Sequence, residues 1–166
     1  YEDTVAYPFG YGLSYSDFEY ENFEMTETES GFEFTVDVKN TSDVAGKDVV
    51  AIYMQSPYTE YDREHGIEKA AVELVGYTKV EVPAGQTVAD VKVTVDKTEL
   101  RTYDADGAGT YILDAGNYYF ALGNGSHEAL NNILAKKADV KDTANGTVDA
   151  TRMTAAGNAG VVAQYT

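Results

Sequence analysis

Among the residue types that do chemistry, this sequence offers carboxylates in excess and little else. It has 28 Asp and Glu, two histidines and no cysteine. Without cysteine there are no disulfides, thiolate metal sites or thiol nucleophiles. His65 follows Glu64 and His127 follows Ser126. Isolated on predicted loops, both read as surface residues rather than general bases. With so many carboxylates, neighbouring acids arise by chance and say little about acid–base catalysis. Asp104-Ala105-Asp106-Gly107 invites a calcium reading, but an EF-hand loop needs further oxygen ligands and a Glu at its twelfth position. Counting from Asp104 puts Ala108 and Ala115 at those places, and counting from Thr102 puts Leu113 last. The stretch reads as an ordinary turn, and neither a metal nor a cofactor is expected. There is no glycine-rich phosphate loop after a strand. The sequons at Asn40, Asn124 and Asn145 fit a pattern common by chance.

The charge balance narrows the partners. Twelve Lys and Arg against the 28 acids leave a net charge of −16, which repels a phosphate backbone and anionic lipid alike. Nucleic acid and membrane contact are therefore not expected. The longest uncharged stretch, Met153 to Thr166, is too short and polar to span a bilayer. At 166 residues the chain suits about one domain on a prior of roughly 150 per domain, and needs no metal or disulfide staple to bury a core. The acidic opening Tyr1-Glu2-Asp3 lacks the basic start of a signal peptide, and the chain reads as a piece of something longer.

Chemistry so sparse must be positioned by strands. Phe32, Phe34, Val36 and Val38 alternate with Glu33, Thr35, Asp37 and Lys39, and Val91, Val93 and Val95 alternate with Lys92, Thr94 and Asp96. Period 2 marks strands with one wet face. Val49 to Met54 is apolar on both faces and belongs at the centre of a sheet. Further strands are expected at 18–23, 74–82, 111–113 and 118–122. The turns Asn40–Asp43, Pro83-Ala84-Gly85, Asp106-Gly107 and Ala115-Gly116-Asn117 punctuate them. About seven short antiparallel strands predict an all-β, immunoglobulin-like or fibronectin type III-like β-sandwich. One helical turn is expected at 96–103, capped by Asp96 or Thr98, and a short helix from Ser126 to Leu134. Past Ala135 only Tyr165 of the 20 aromatics remains. Residues 136–166 are therefore expected to be an irregular tail, a linker or the start of a following domain, after a sandwich over 16–135.

The segment Tyr7-Pro8-Phe9-Gly10-Tyr11-Gly12-Leu13-Ser14-Tyr15, followed by Phe18, resembles the stretch that leads into the C-terminal fibronectin type III-like domain of glycoside hydrolase family 3, which includes bacterial and fungal β-glucosidases. Other landmarks follow in that family's order: Val38-Lys39-Asn40-Thr41, Ala45 to Val50, Glu73-Leu74-Val75-Gly76-Tyr77-Thr78-Lys79-Val80, Pro83-Ala84-Gly85-Gln86, and Ala115 to Phe120 with Gly123. The likeness covers roughly 6–134. Two features depart from it. A long loop, Ser56–Val72, stands before the Glu-Leu strand, and the chain runs on past the last strand, which resembles members whose catalytic barrel follows this domain.

The resemblance implies a parent that hydrolyses β-glucosides with retention, using two carboxyl groups about 5–5.5 Å apart. The family's nucleophilic Asp lies in a barrel Ser-Asp-Trp motif. This chain has no Trp, so Ser16-Asp17-Phe18 is a decoy, and no catalytic residue is expected in it. The implied role is structural, with the barrel and α/β sandwich domains of the same parent as partners. Residues 1–15 would form an interdomain segment, with Tyr7, Pro8, Phe9, Gly10, Tyr11, Gly12, Leu13 and Tyr15 in contact. Glycines allow close backbone approach and tyrosines suit interfaces with a polar side. The bland alternative is a cover over the sandwich's own core. In the long loop, Tyr58, Tyr61, Arg63 and His65 supply aromatic and charged groups for a β-glucoside or oligosaccharide at a substrate entrance. Loops beyond about 12–15 residues are often functional or disordered, and here edge-strand cover or disorder is the alternative. A stand-alone carbohydrate-binding module and a cell-surface immunoglobulin-like spacer are the rival classes.

Overall fold

The computed structural model describes residues 5–142 and 157–166. Two antiparallel sheets face each other. One contains β1 (Phe18–Glu27), β2 (Gly31–Asn40) and β5 (Thr87–Asp96), in the order β1-β2-β5. The other contains β3 (Gly46–Gln55), β4 (Glu73–Val82), β8 (Tyr118–Leu122) and β9 (Val162–Tyr165), in the order β4-β3-β8-β9. A separate hairpin pairs β6 (Thr102–Asp104) with β7 (Thr110–Ile112). Two helices complete the fold: α1 (Glu60–Glu64) lies inside the long loop, and α2 (Ser126–Asp139) follows β8. The chain is an all-β sandwich.

The alternation read from the sequence is what builds the core. Phe32, Phe34, Val36 and Val38 on β2 point inward with Val91, Val93 and Val95 on β5, and meet Val50, Ile52, Met54, Phe120 and Leu122 from the second sheet. Phe32 and Phe34 each hold their ring about 5 Å from that of Phe120 (5.1 and 5.2 Å). Burying each such side chain contributes about 1.5–3 kcal/mol. Asn40, fully buried, closes the β2–β3 turn: its Nδ2 donates to the carbonyls of Val44 (2.8 Å) and Val82 (3.1 Å), and its Oδ1 accepts from Ser42 N. Asp96 caps the 3₁₀ turn Lys97–Leu100 by accepting from Thr98 N, as the sequence reading allows.

The C-terminal part departs from expectation. The short helix predicted to end at Leu134 continues to Asp139, and Gly125 precedes it without a side-chain cap. The irregular tail or linker expected over 136–166 instead ends in β9, which pairs with β8 from Tyr118↔Tyr165 to Ala121↔Val162. Val161 is buried in the main core, and the Tyr165 ring packs edge-on against Phe32 at 4.9 Å. The strand completes the second sheet because β8 would otherwise present an unpaired edge beside exposed aromatic core. The rest of that expectation, over 143–156, lies outside the described residues.

Candidate functional site

The second sheet has two faces, and only one belongs to the sandwich core. On the outer face, α2 lies across Ala51, Tyr53, Tyr119 and Ala121 with Ala129 and Ile133, joined by Val162. Helix α2 covers only part of this face. Val49 (43% exposed), Leu74 (38%) and Tyr77 (69%) remain open. In the β3–β4 register Ala51 faces Tyr77 and Tyr53 faces Leu74. These positions floor an open groove of about 590 Å³, whose wall includes Phe9, Gly10, Leu13, Ser16 and Phe18 and whose far end is Gly123 and Asn124.

The wall is the aromatic–glycine segment, whose backbone is anchored near Phe9 and Gly10. Phe9 O accepts from Ser126 N at 2.9 Å, at the start of α2, and Tyr11 N donates to Pro8 O. Gly10 has φ +87°, and a Cβ there would stand 2.8 Å from Gly125 Cα and 2.9 Å from the Tyr53 hydroxyl. Only glycine meets both conditions without strain. The side chains, by contrast, are largely exposed. Tyr7, Phe9 and Tyr11 are more than half exposed, Leu13 is 91% exposed and Tyr15 98%. The segment therefore does not bury these side chains as a lid on its own core.

Polar groups gather where the groove meets the edge of the sandwich. Tyr20 reaches from β1 to donate to Asp48 Oδ2 at 2.7 Å, with Asn124 Oδ1 at 3.2 Å. Burial, then the Asp48 carboxylate, hold the Tyr20 hydroxyl far above its ordinary pKa, so it stays a donor. Burial and then Glu128 raise Tyr53 as well. Asp48, 8% exposed, lines the groove beside Asp17. Asp17, the decoy carboxylate, sits exposed just before β1, its backbone N–H donating to Ser42 Oγ.

The long loop forms a second, separate cluster. It is ordered around a buried charge clamp: Lys69 Nζ donates to Asp62 Oδ2 (2.8 Å), Asp114 Oδ2 (2.7 Å) and Pro57 O (2.8 Å). All three charged side chains are less than a tenth exposed. Thr59 and Asp62 form a reciprocal capping box on α1. Burial works against the ionised Asp62, but the hydrogen bonds from Lys69 and Thr59 prevail and hold its carboxyl below the ordinary range. Of the predicted loop residues, Arg63 sits over the Tyr58 ring (5.4 Å), and Tyr61 stacks on His65 (3.9 Å). Tyr61 Oη donates to Asp104 Oδ2, whose two oxygens also accept from Gly107 N and Ala108 N. The backbone bonds, from Ala108 first, then Tyr61, lower the Asp104 carboxyl. The Asp104 stretch is thus a turn closed by its own carboxylate. Tyr58, Tyr61, Arg63 and His65 come together, but none of them lines the groove.

The sequence reading placed Asp48, Val49, Leu74 and Tyr77 in strand landmarks but named none of them, nor Tyr53, as a site residue. One signal pointed their way: the run Val49–Met54 is apolar on both faces, so its outer face needed a cover.

This arrangement is a fibronectin type III-like sandwich, and residues 48–126 match the fibronectin type III-like domain family. A β-glucosidase of Ruminococcus albus is 35% identical over 127 residues, 74% of this chain but 13% of that protein. Among solved structures, a β-glucosidase from Streptomyces venezuelae superposes with a TM-score of 0.61 at 34% identity, over 72% of this chain and 14% of its own. A family 3 β-glucosidase from Bifidobacterium adolescentis gives 0.64 at 27% identity, over 74% and 17%. The chain thus spans a small fraction of the relatives it matches. It belongs with the fibronectin type III-like domain of glycoside hydrolase family 3 enzymes.

Proposed function

We propose that this chain serves as a non-catalytic accessory domain of a family 3 glycoside hydrolase, a β-glucosidase-like parent that cleaves β-glucosides with retention. It braces the catalytic barrel and α/β sandwich domains of that parent through residues 7–15 and the open half of the second sheet. The observation that carries the reading is the anchoring of Phe9 to the start of α2 together with the exposed side chains of this segment, which suit a surface covered by another domain. The relatives support it, since each devotes most of its length to something other than this domain. The Streptomyces relative was solved with D-glucose, which fits a glucoside-hydrolysing parent.

The finer part of the proposal concerns the Ser56–Val72 loop. Tyr58, Tyr61, Arg63 and His65 rim the parent's substrate entrance and touch the leaving-group sugar. A rigid clamp beneath exposed rings is the arrangement such a rim requires, because ordered aromatics lose little entropy on contact with sugar. Replacing Tyr58 and Tyr61 by Ala in the parent enzyme is expected to shift relative kcat/KM across a panel of aglycones, whereas unchanged ratios would remove the loop from substrate contact. Sequencing the gene on both sides of this segment tests the accessory role. A barrel carrying Ser-Asp-Trp is expected, and its side decides the domain order. Repeated sandwiches or an anchor would instead support the spacer.

A further inference from the structure

The groove's charge says what kind of side chain it receives. Its mouth carries two carboxylates, Asp17 and Asp48, and one base, Lys47. Lys47 is spent on Glu81 at 3.5 Å, and among the described residues neither groove carboxylate has an ion pair of its own. Asp48 is the more telling of the two because it is almost wholly buried. Its Oδ1 accepts from Val49 N at 2.8 Å and its Oδ2 from Tyr20, which leaves each oxygen a second lone pair. A buried carboxylate whose neighbours are neutral donors is short of a counter-charge. The walls around it are aromatic: Phe9, Phe18, Tyr53 and Tyr77.

We propose that the groove receives an arginine side chain from the neighbouring domain, its guanidinium paired with Asp48 and its flat face and stem against these aromatic walls. The inference rests on the docking reading above and names the chemistry of its partner. Arginine fits better than lysine because a planar guanidinium takes both carboxylate oxygens and stacks on rings, whereas an ammonium is a point charge that keeps its water. A sugar fits worse than a protein, because Phe9 and Leu13 in the groove wall offer exposed apolar surface that hydroxyls do not cover. The charge of the chain, −16, also favours a basic facing surface.

The test is calorimetric unfolding of the full-length parent and of this 166-residue chain, each as wild type, Asp48→Asn, Tyr20→Phe and Tyr77→Ala. In the parent, Asp48→Asn is expected to lower the unfolding temperature of the sandwich by about 5–10 °C, and added salt to shrink the difference. In the 166-residue chain it should shift no more than Tyr20→Phe, which removes the internal contact and keeps the charge. Equal shifts for Asp48→Asn in parent and chain, or equal shifts for Asp48→Asn and Tyr20→Phe in the parent, would overturn the arginine. So would a salt-independent loss, which points to a neutral partner. If Tyr77→Ala uncouples the domains and Asp48→Asn does not, docking stands without the ion pair. If neither shifts the parent, docking itself fails. Asp17→Asn, at an exposed position, is the variant to use should Asp48→Asn not fold, with a smaller, salt-sensitive loss expected in the parent alone.

Discussion

The two halves of the second sheet's outer face share strand β3, with β8 beside it in one and β4 in the other, yet they end differently. Under α2, Ala51, Tyr53, Tyr119 and Ala121 are buried against Ala129 and Ile133. Beside them, Val49, Leu74 and Tyr77 stay open behind a wall that carries the exposed Phe9 and Leu13. The first half shows how the chain covers apolar strand surface when that surface serves its own stability. The second shows apolar surface left open among the described residues, joined to a segment anchored at Phe9 and Tyr11 whose side chains are largely exposed. The proposed docking of a neighbouring domain rests on this contrast between covered and open apolar area.

The loop clamp sets the upper end of the scale against which both halves are measured. Lys69→Met leaves Asp62 and Asp114 buried without their cation, and should cost about 3–5 kcal/mol in urea unfolding of this chain. The same clamp has a pH signature. Asp62 is held below its ordinary pKa when folded, so its contribution is intact above the unfolded value of about 3.9 and fades as pH falls through the lower folded one. Wild type should thus lose this stability only below about pH 4, and Lys69→Met should lose that part of the acid slope.

Within the comparison itself, Ile133→Ala strikes the covered half. A fully buried Ile reduced to Ala is expected to cost about 2–4 kcal/mol and to lower Tm by roughly 5–15 °C. Gly10→Ala strikes the anchor point of the wall segment. Its Cβ meets Gly125 and Tyr53 at a positive φ, for about 1–3 kcal/mol of local strain. Hydrogen exchange at the Ser126 amide, which donates to Phe9 O, should accelerate while β2 and β5 amides stay protected. Tyr77→Ala strikes the open half, and in this chain alone its effect should fall within about 0.5 kcal/mol. A loss as large as that of Ile133→Ala would mean that Tyr77 supports this fold from within, and the contrast between the halves would collapse.

Much of this fold was legible because it rests on local pattern. The alternation at 32–38 and 91–95 and the apolar run 49–54 gave the strands that make most of the core, and Tyr118–Leu122 falls where expected. The misses came from pairing that is distant in sequence. Val162–Tyr165 is four residues of modest hydrophobicity after a stretch poor in aromatics, and only the open edge of β8 makes it a strand. Helix α2 outran its predicted end because Lys137, a residue that reads as solvated, is buried over the Tyr119 ring. Thr59 and Asp62 did spell a capping box inside the long loop, a signal present but not read. The groove was legible only in part. Its wall announced itself through Gly10 and its aromatic neighbours, whereas its floor depends on how far α2 extends across the sheet, a tertiary outcome that no local pattern encodes.

The claim that the open half is an interface is tested most directly by hydroxyl-radical footprinting of this chain and of the full-length parent. Tyr15 and Tyr77 should be oxidised several-fold more slowly in the parent, with Leu13 protected alongside them, while Tyr103 and Tyr111 on the hairpin serve as the internal comparison. Equal oxidation of Tyr15 and Tyr77 in parent and chain would mean that this surface stays bare in the whole protein, and would contradict the account.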